Sequence, residues 1–203
     1  MNITDRVYGD ITIDEPVLLA LIQSKPIQRL KGINQAGASQ YALKHKTISR
    51  YEHSVGVMIL LKKLGASIEE QIAGLLHDIP HTAFSHVIDF AFKDTDHKHE
   101  FHERFHEQII MQSEIPEILK KFDFDTNRIL DEHNFPLLEN NIPNICADRI
   151  DYTLRDMSRA NNLIEDVAEY VSSFIVHNNE IIINNKLTAK KFAEGYLQTD
   201  ETE

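Results

Sequence analysis

Ser67-Ile-Glu-Glu-Gln-Ile-Ala-Gly-Leu-Leu-His-Asp-Ile-Pro-His81 is the stretch from which the fold is read. Its apolar residues Ile68, Ile72, Leu75, Leu76 and Ile79 recur at the steps of three and four that line one face of a helix. Ser67 followed by Glu70 has the form of a capping box, and Pro80, which has no N–H to donate, ends the element. Just upstream, residues 51–64 place Val55, Met58, Ile59 and Leu61 on another helical face that stops at Gly65. Lys62, Lys63, Glu69 and Glu70 are expected to be exposed.

Outward from this pair, Asp14-Glu15-Pro16 reads as a helix start with a small polar cap and proline in the first turn. Ser24-Lys25-Pro26 opens a second helix running to Ile33, frayed at Gly32 and Gly37. Further helices are expected at about 100–113, from Pro143 to about Arg159, and from Thr188 to Leu197. The only strand signal is late: Phe174–His177 and Glu180–Ile183 flank Asn178-Asn179, a hairpin turn. The expected architecture is all-α, a single domain over residues 1–203, with a small β-hairpin near the C-terminus.

The chain has 203 residues, 32 acidic and 21 basic, for a formal charge of −11. That length supports its own core, and 42% hydrophobic with 26% charged residues is ordinary for a globular protein. The longest uninterrupted apolar run, Val57–Leu61, falls far short of the ~20 residues of a membrane span. The N-terminus shows no secretory signal, and Cys146 is alone, so a cytoplasmic location is expected. Net negative charge disfavours bulk nucleic-acid or anionic-lipid binding, but not a small anion held by a metal. Cys146 itself reads as a buried small residue, not a nucleophile.

Eleven histidines in a chain without Trp direct attention to metal or proton chemistry. His77-Asp78 closes the amphipathic helix, and adjacent helical side chains point about 100° apart, so both can reach one ion off its end. His53 lies 24 residues earlier in Arg50-Tyr-Glu-His-Ser-Val-Gly56, and Asp148 lies 70 residues after Asp78 in Ala147-Asp-Arg-Ile-Asp-Tyr152. Two imidazoles and two carboxylates suit a borderline or hard divalent ion: Fe, Mn, Zn, Ni, Co or Mg. Asp148, Asp151, Tyr152 and Arg155 recur at steps of three and four on one helical stripe. Taken alone, that stripe reads as a solvated face carrying an Asp151–Arg155 pair.

The segments Arg50–Gly56, Ala73–His86 and Ala147–Asp156 resemble the HD superfamily of metal-dependent phosphohydrolases. Asp5-Arg-Val-Tyr-Gly9 and Gln28-Arg-Leu-Lys-Gly-Ile-Asn-Gln-Ala-Gly37 are similar to its deoxynucleoside triphosphate triphosphohydrolase branch. The resemblance covers residues 5 to about 156, with the core motifs within 28–156 and the hairpin and last helix at about 170–198. It implies an HD-domain helical bundle, with His53, His77, Asp78 and Asp148 as metal ligands. It further implies His81 as a catalytic histidine and Asp89 with His106 as a carboxylate–histidine pair assisting proton transfer. Gln35, Arg50, His86, Arg149, Tyr152 and Asp156 fall where the family contacts nucleotide. Pro80 replaces a Gly usual in that family. The implied reaction is hydrolysis of a deoxynucleoside triphosphate to deoxynucleoside and triphosphate, with mononucleotides or other phosphate esters as alternatives.

Other readings stand beside this one. His102-Glu-Arg-Phe-His106 fits H-E-x-x-H, the zinc-protease pattern, but arises easily by chance in a chain so rich in His and acid. His81, His86, His102 and His106 leave room for a second ion. A nucleotide-binding regulatory domain without turnover, and a homo-oligomer, also remain open.

Overall fold

The computed structural model describes residues 1–41, 47–83, 103–159 and 167–200. Its described part is mostly helical, with two small antiparallel hairpins. The first, β1 (Asn2–Asp5) with β2 (Gly9–Thr12), pairs Ile3 with Ile11 and Asp5 with Gly9. The sequence reading missed it, because each strand is only four residues long and its Ile and Thr stand among Asn, Asp and Gly, which strands avoid. Local chemistry closes it instead. The Asp5 carboxylate accepts the amides of Val7 and Tyr8 at 2.8 and 3.1 Å, and Gly9 takes a φ of 75°.

Next come α1 (Pro16–Gln23) and α2 (Lys25–Arg29), each with proline in its first turn as expected. No side chain caps either start, and α2 tightens into a 3₁₀ turn at Leu30–Gly32. The central helix is α3 (Arg50–Lys63), whose residues Val55 to Leu61 are all buried. A true capping box starts it: Ser49 Oγ accepts from Glu52 N–H at 3.2 Å, and Glu52 accepts from Ser49 N–H at 3.1 Å.

Helix α4 (Ile68–Leu76) packs along α3, and Gly74 allows the approach, since a Cβ there would press on Leu61 and Val57. Only half of its expected capping box forms. Ser67 Oγ accepts from Glu70 N–H at 3.1 Å, but the Glu70 carboxylate, expected in solvent, is buried. It accepts the amides of Leu137 and Leu138 at 2.7 and 3.2 Å. The helix ends at Leu76 with His77 as its C-cap, still in helical backbone geometry and bonding the Ala73 carbonyl at 3.0 Å, and Asp78 stands in the turn that follows.

Beyond residue 102 follow α5 (Glu103–Met111), α6 (Ile115–Lys121), α7 (Thr126–Leu130), α8 (Ala147–Arg159) and α9 (Val167–Ser173). Helices α6, α7 and α9 had no sequence prediction, being only five to seven residues long. Strands β3 (Phe174–His177) and β4 (Glu180–Ile183) form the expected hairpin. Asn178 and Asn179 both take positive φ, 51° and 61°, as a two-residue turn matching strand twist requires. The last helix, α10 (Lys186–Asp200), packs Phe192 edge-on against Tyr170 and Phe174 and lies on α8.

One buried cluster gathers residues from Val7 to Phe192, with α3 between α4 and α8 at its centre. No described helix is long and apolar enough to cross a membrane.

Candidate metal centre

Three elements deliver the site: the first turns of α3 and α8 and the turn ending α4. His53 comes from the capped start of α3, His77 from the α4 terminus, and Asp148 from the start of α8. His53 Nε2 lies 2.8 Å from Asp148 Oδ1 and 3.3 Å from His77 Nε2, and His77 Nε2 lies 3.4 Å from Asp148 Oδ1. All three separations are below twice the ~2.1 Å bond that Zn makes to nitrogen or oxygen, so one ion reaches all three atoms.

The outer nitrogens settle what the inner ones offer. His77 Nδ1 is 2.7 Å from the Gly74 carbonyl, which can only accept, so Nδ1 carries the proton. His53 Nδ1 is 2.8 Å from Asp151 Oδ2, again an acceptor. Two Nε2 lone pairs and a carboxylate oxygen thus face one another and need a cation among them. A proton is one answer. Burial opposes charging His53, but hydrogen bonds to Asp148 and Asp151 prevail and push its pKa up to about 10. A divalent ion is the other answer, and the donor set fits it.

Asp78 stands beside this triad. Its Oδ1 is 3.7 Å from His77 Nε2 and 3.2 Å from His81 Nε2. Arg50 holds it, donating from one nitrogen to both carboxylate oxygens at 2.8 Å. Burial alone would raise the Asp78 pKa, yet the Arg50 charge holds it well below the carboxylate range. A second Arg50 nitrogen reaches the Gln35 carbonyl at 3.5 Å. His81 is buried, and Arg29 from α2 donates to its carbonyl at 3.0 Å and to that of Ile79.

Arg149 turns to the preceding loop, bonding Glu139, the Asn140 carbonyl and the Asn144 carbonyl. Tyr152, half-buried, shares a hydrogen bond with Tyr196 of α10, and burial raises its pKa. Asp156 is half-buried one turn later on α8, and His106 is half-buried on α5. His86, Asp89 and His102 lie outside the described residues.

Taken alone, the α8 stripe reads from sequence as a solvated face, and there the structure differs. Asp151 and Arg155 are both fully buried, 2.7 Å apart. Arg155 also bonds Asp5 at 2.9 Å, and Tyr8 donates to Asp151 at 2.8 Å. Gly56 makes room for them, since a Cβ there would collide with the Arg155 guanidinium and the Asp151 carboxylate. The available signal was the register: Asp151 and Arg155 share a face with Asp148, so a face turned inward at its first residue carries the others inward too.

Comparison with known proteins bears on this geometry. A family model described as "HD domain" matches residues 50–156. YdhJ, an uncharacterized protein of Bacillus subtilis, is 46% identical over 98% of this chain and 61% of its own length. The metal-dependent phosphohydrolase cns2 of Cordyceps militaris is 36% identical over 98% of this chain and 59% of its own. This chain therefore spans about three fifths of the length of those two relatives. Likeness to the bovine deoxynucleoside triphosphate triphosphohydrolase SAMHD1 is partial, 34% identity over 44% of this chain and 18% of that protein. The solved structure of a hypothetical protein from Aquifex aeolicus superposes with a TM-score of 0.71 at 27% identity, covering 100% of this chain and 58% of that one.

Proposed function

Because the chain belongs to the HD-domain family, we propose that it is a metal-dependent phosphohydrolase acting on nucleotides. The observation that carries this reading is the convergence of His53 Nε2, His77 Nε2 and Asp148 Oδ1. These residues would hold the ion, with Asp78 as a further oxygen donor beside His77. A divalent ion bound there polarises a phosphoryl oxygen and lowers the pKa of bound water.

The chain's own groups do the rest. His81, fixed through its carbonyl by Arg29 and next to Asp78, is placed to accept or return a proton. His106 with Asp89 is assigned the same work. Gln35, Arg50, His86, Arg149, Tyr152 and Asp156 are assigned to the nucleotide, the arginines through hydrogen bonds to phosphate oxygens. Arg50 reaches phosphate by sharing or leaving Asp78, which ties substrate entry to the freeing of that carboxylate.

The favoured substrate is a deoxynucleoside triphosphate, cleaved to deoxynucleoside and triphosphate, a reading supported by the partial likeness to SAMHD1. A net charge of −11 favours a small polyanion in a local positive site over a long nucleic acid. The single cysteine fits a cytoplasmic protein.

Elemental analysis of purified protein, paired with a nucleotide panel read by product, tests the proposal. Triphosphate, pyrophosphate or orthophosphate as product separates the subclasses. A panel inert with Fe, Mn, Zn, Ni, Co and Mg, on protein that still binds nucleotide, replaces the enzyme with a regulatory nucleotide-binding domain.

A further inference from the structure

Behind His53, on the side away from Asp148 and His77, lies a buried chain of charged and polar groups. Asp151 Oδ2 receives two hydrogen bonds, from His53 Nδ1 at 2.8 Å and from Arg155 Nε at 2.7 Å. Asp151 Oδ1 receives the Tyr8 hydroxyl at 2.8 Å. Arg155 passes its other end to Asp5 at 2.9 Å, and Asp5 in turn caps the amides of Val7 and Tyr8. Asp151 and Arg155 are fully buried, and Tyr8 and Asp5 nearly so. The network runs from a ligand-bearing helix to Asp5 in the N-terminal hairpin, 45 residues before the segment that matches the family model.

We propose that Asp151 is a positioning residue for His53, held in place by Arg155 and by the Asp5–Tyr8 turn, so that the N-terminal hairpin is a working part of the metal centre. This rests on the metal reading above. The physical case has three parts. An imidazole ligates through a lone pair, and which nitrogen bears it is set by what the other nitrogen donates to. A carboxylate at Nδ1 keeps the proton there, leaves Nε2 bare toward His77 and Asp148, and makes the ring a stronger donor. A buried carboxylate facing one imidazole would itself be costly, and the Arg155 guanidinium supplies the countercharge in a fork that Lys could not copy.

The ring also needs a fixed orientation. His53 meets His77 edge-on, with centroids 5.2 Å apart, and a rotation about its Cβ–Cγ bond would carry Nε2 out of the triad. Tyr8 and Arg155 grip both oxygens of Asp151, and so deny the carboxylate the rotation that would release the ring.

The test titrates wild-type protein and the D151N and Y8F variants with Co²⁺, following visible absorption against a competing chelator. Nitrogen NMR on the chelator-treated proteins, at a pH above about 10 where the ring is neutral, reads the His53 tautomer. D151N should weaken Co²⁺ binding by about 10–100-fold and, within the neutral form of His53, reduce the share that carries its proton at Nδ1. Y8F removes one hydroxyl and should fold, with a smaller loss, under about tenfold. Co²⁺ binding by D151N and Y8F equal to wild type, with an unchanged His53 tautomer, overturns the proposal. Should D151N not fold, Y8F decides by the same two readings. Wild-type protein that binds no Co²⁺ overturns the metal reading instead, and the tautomer measurement then judges the His53–Asp151 arrangement by itself.

Discussion

One nitrogen of the Arg50 guanidinium donates to both oxygens of the Asp78 carboxylate, each at 2.8 Å, and both side chains are about 95% buried. The pair joins the start of α3 to the turn after α4, the two segments that also carry His53 and His77. Removing one partner strands the other charge in a dry interior. Arg50→Ala should therefore cost about 3–5 kcal/mol of unfolding free energy. Urea denaturation checks this, and a loss below about 1 kcal/mol would mean that the pair is solvated.

His53 predicts a pH dependence. Its folded pKa of about 10 lies above the ordinary 6.5, so the protonated ring contributes stability that is complete below about pH 6.5. That contribution fades as pH rises toward 10. Chelator-treated protein should melt at progressively lower temperature from pH 7 to 10. Bound Co²⁺ needs the unprotonated nitrogen, so the loaded protein should show a weaker fall, and metal affinity should drop as the medium is acidified. A melting temperature of the chelated form that stays flat over that window would remove His53 as the proton acceptor.

His77→Ala and Asp148→Ala each delete one of three converging donor atoms. Either should abolish stoichiometric metal after dialysis, with the helical circular dichroism retained. Full metal content in the His77→Ala, Asp148→Ala double variant would defeat the assignment.

Arg29 touches no proposed ligand atom, yet it ties down the carbonyls of Ile79 and His81. Arg29→Ala should leave metal content near wild type and speed hydrogen exchange at the amides of Ile79, His81, Thr82 and Ala83. Turnover should fall by up to about 10²-fold, the scale of a 1 Å misplacement. Unchanged exchange there would show that the turn holds itself.

Glu70 is the buried acceptor for the Leu137 and Leu138 amides, whose carbonyls receive Ala147 and Asp148 N–H. Glu70→Ala should destabilise by about 1–3 kcal/mol through the stranded amides, while Glu70→Gln keeps an acceptor and loses less. Equal stability of the two variants would contradict this role.

The candidate metal ligands, the two central helices and the late hairpin were legible because each rests on local pattern. Periodicity marks α3 and α4, proline and glycine mark their ends, two adjacent asparagines mark the β3–β4 turn, and histidines and aspartates stand in recognisable segments. The N-terminal hairpin and the shortest helices lacked that pattern, because few residues and weak propensities leave their existence to packing. Burial of polar groups was not legible either. Glu70, Asp151 and Arg155 have the composition of a solvated surface, and only their distant partners at Leu137, His53 and Asp5 turn them inward. Sequence by itself determined which residues could hold an ion. The tertiary structure decided which nitrogen of His53 faces it, because that tautomer depends on Asp151, 98 residues away on another helix, whereas His77 takes its partner, the Gly74 carbonyl, from its own helix.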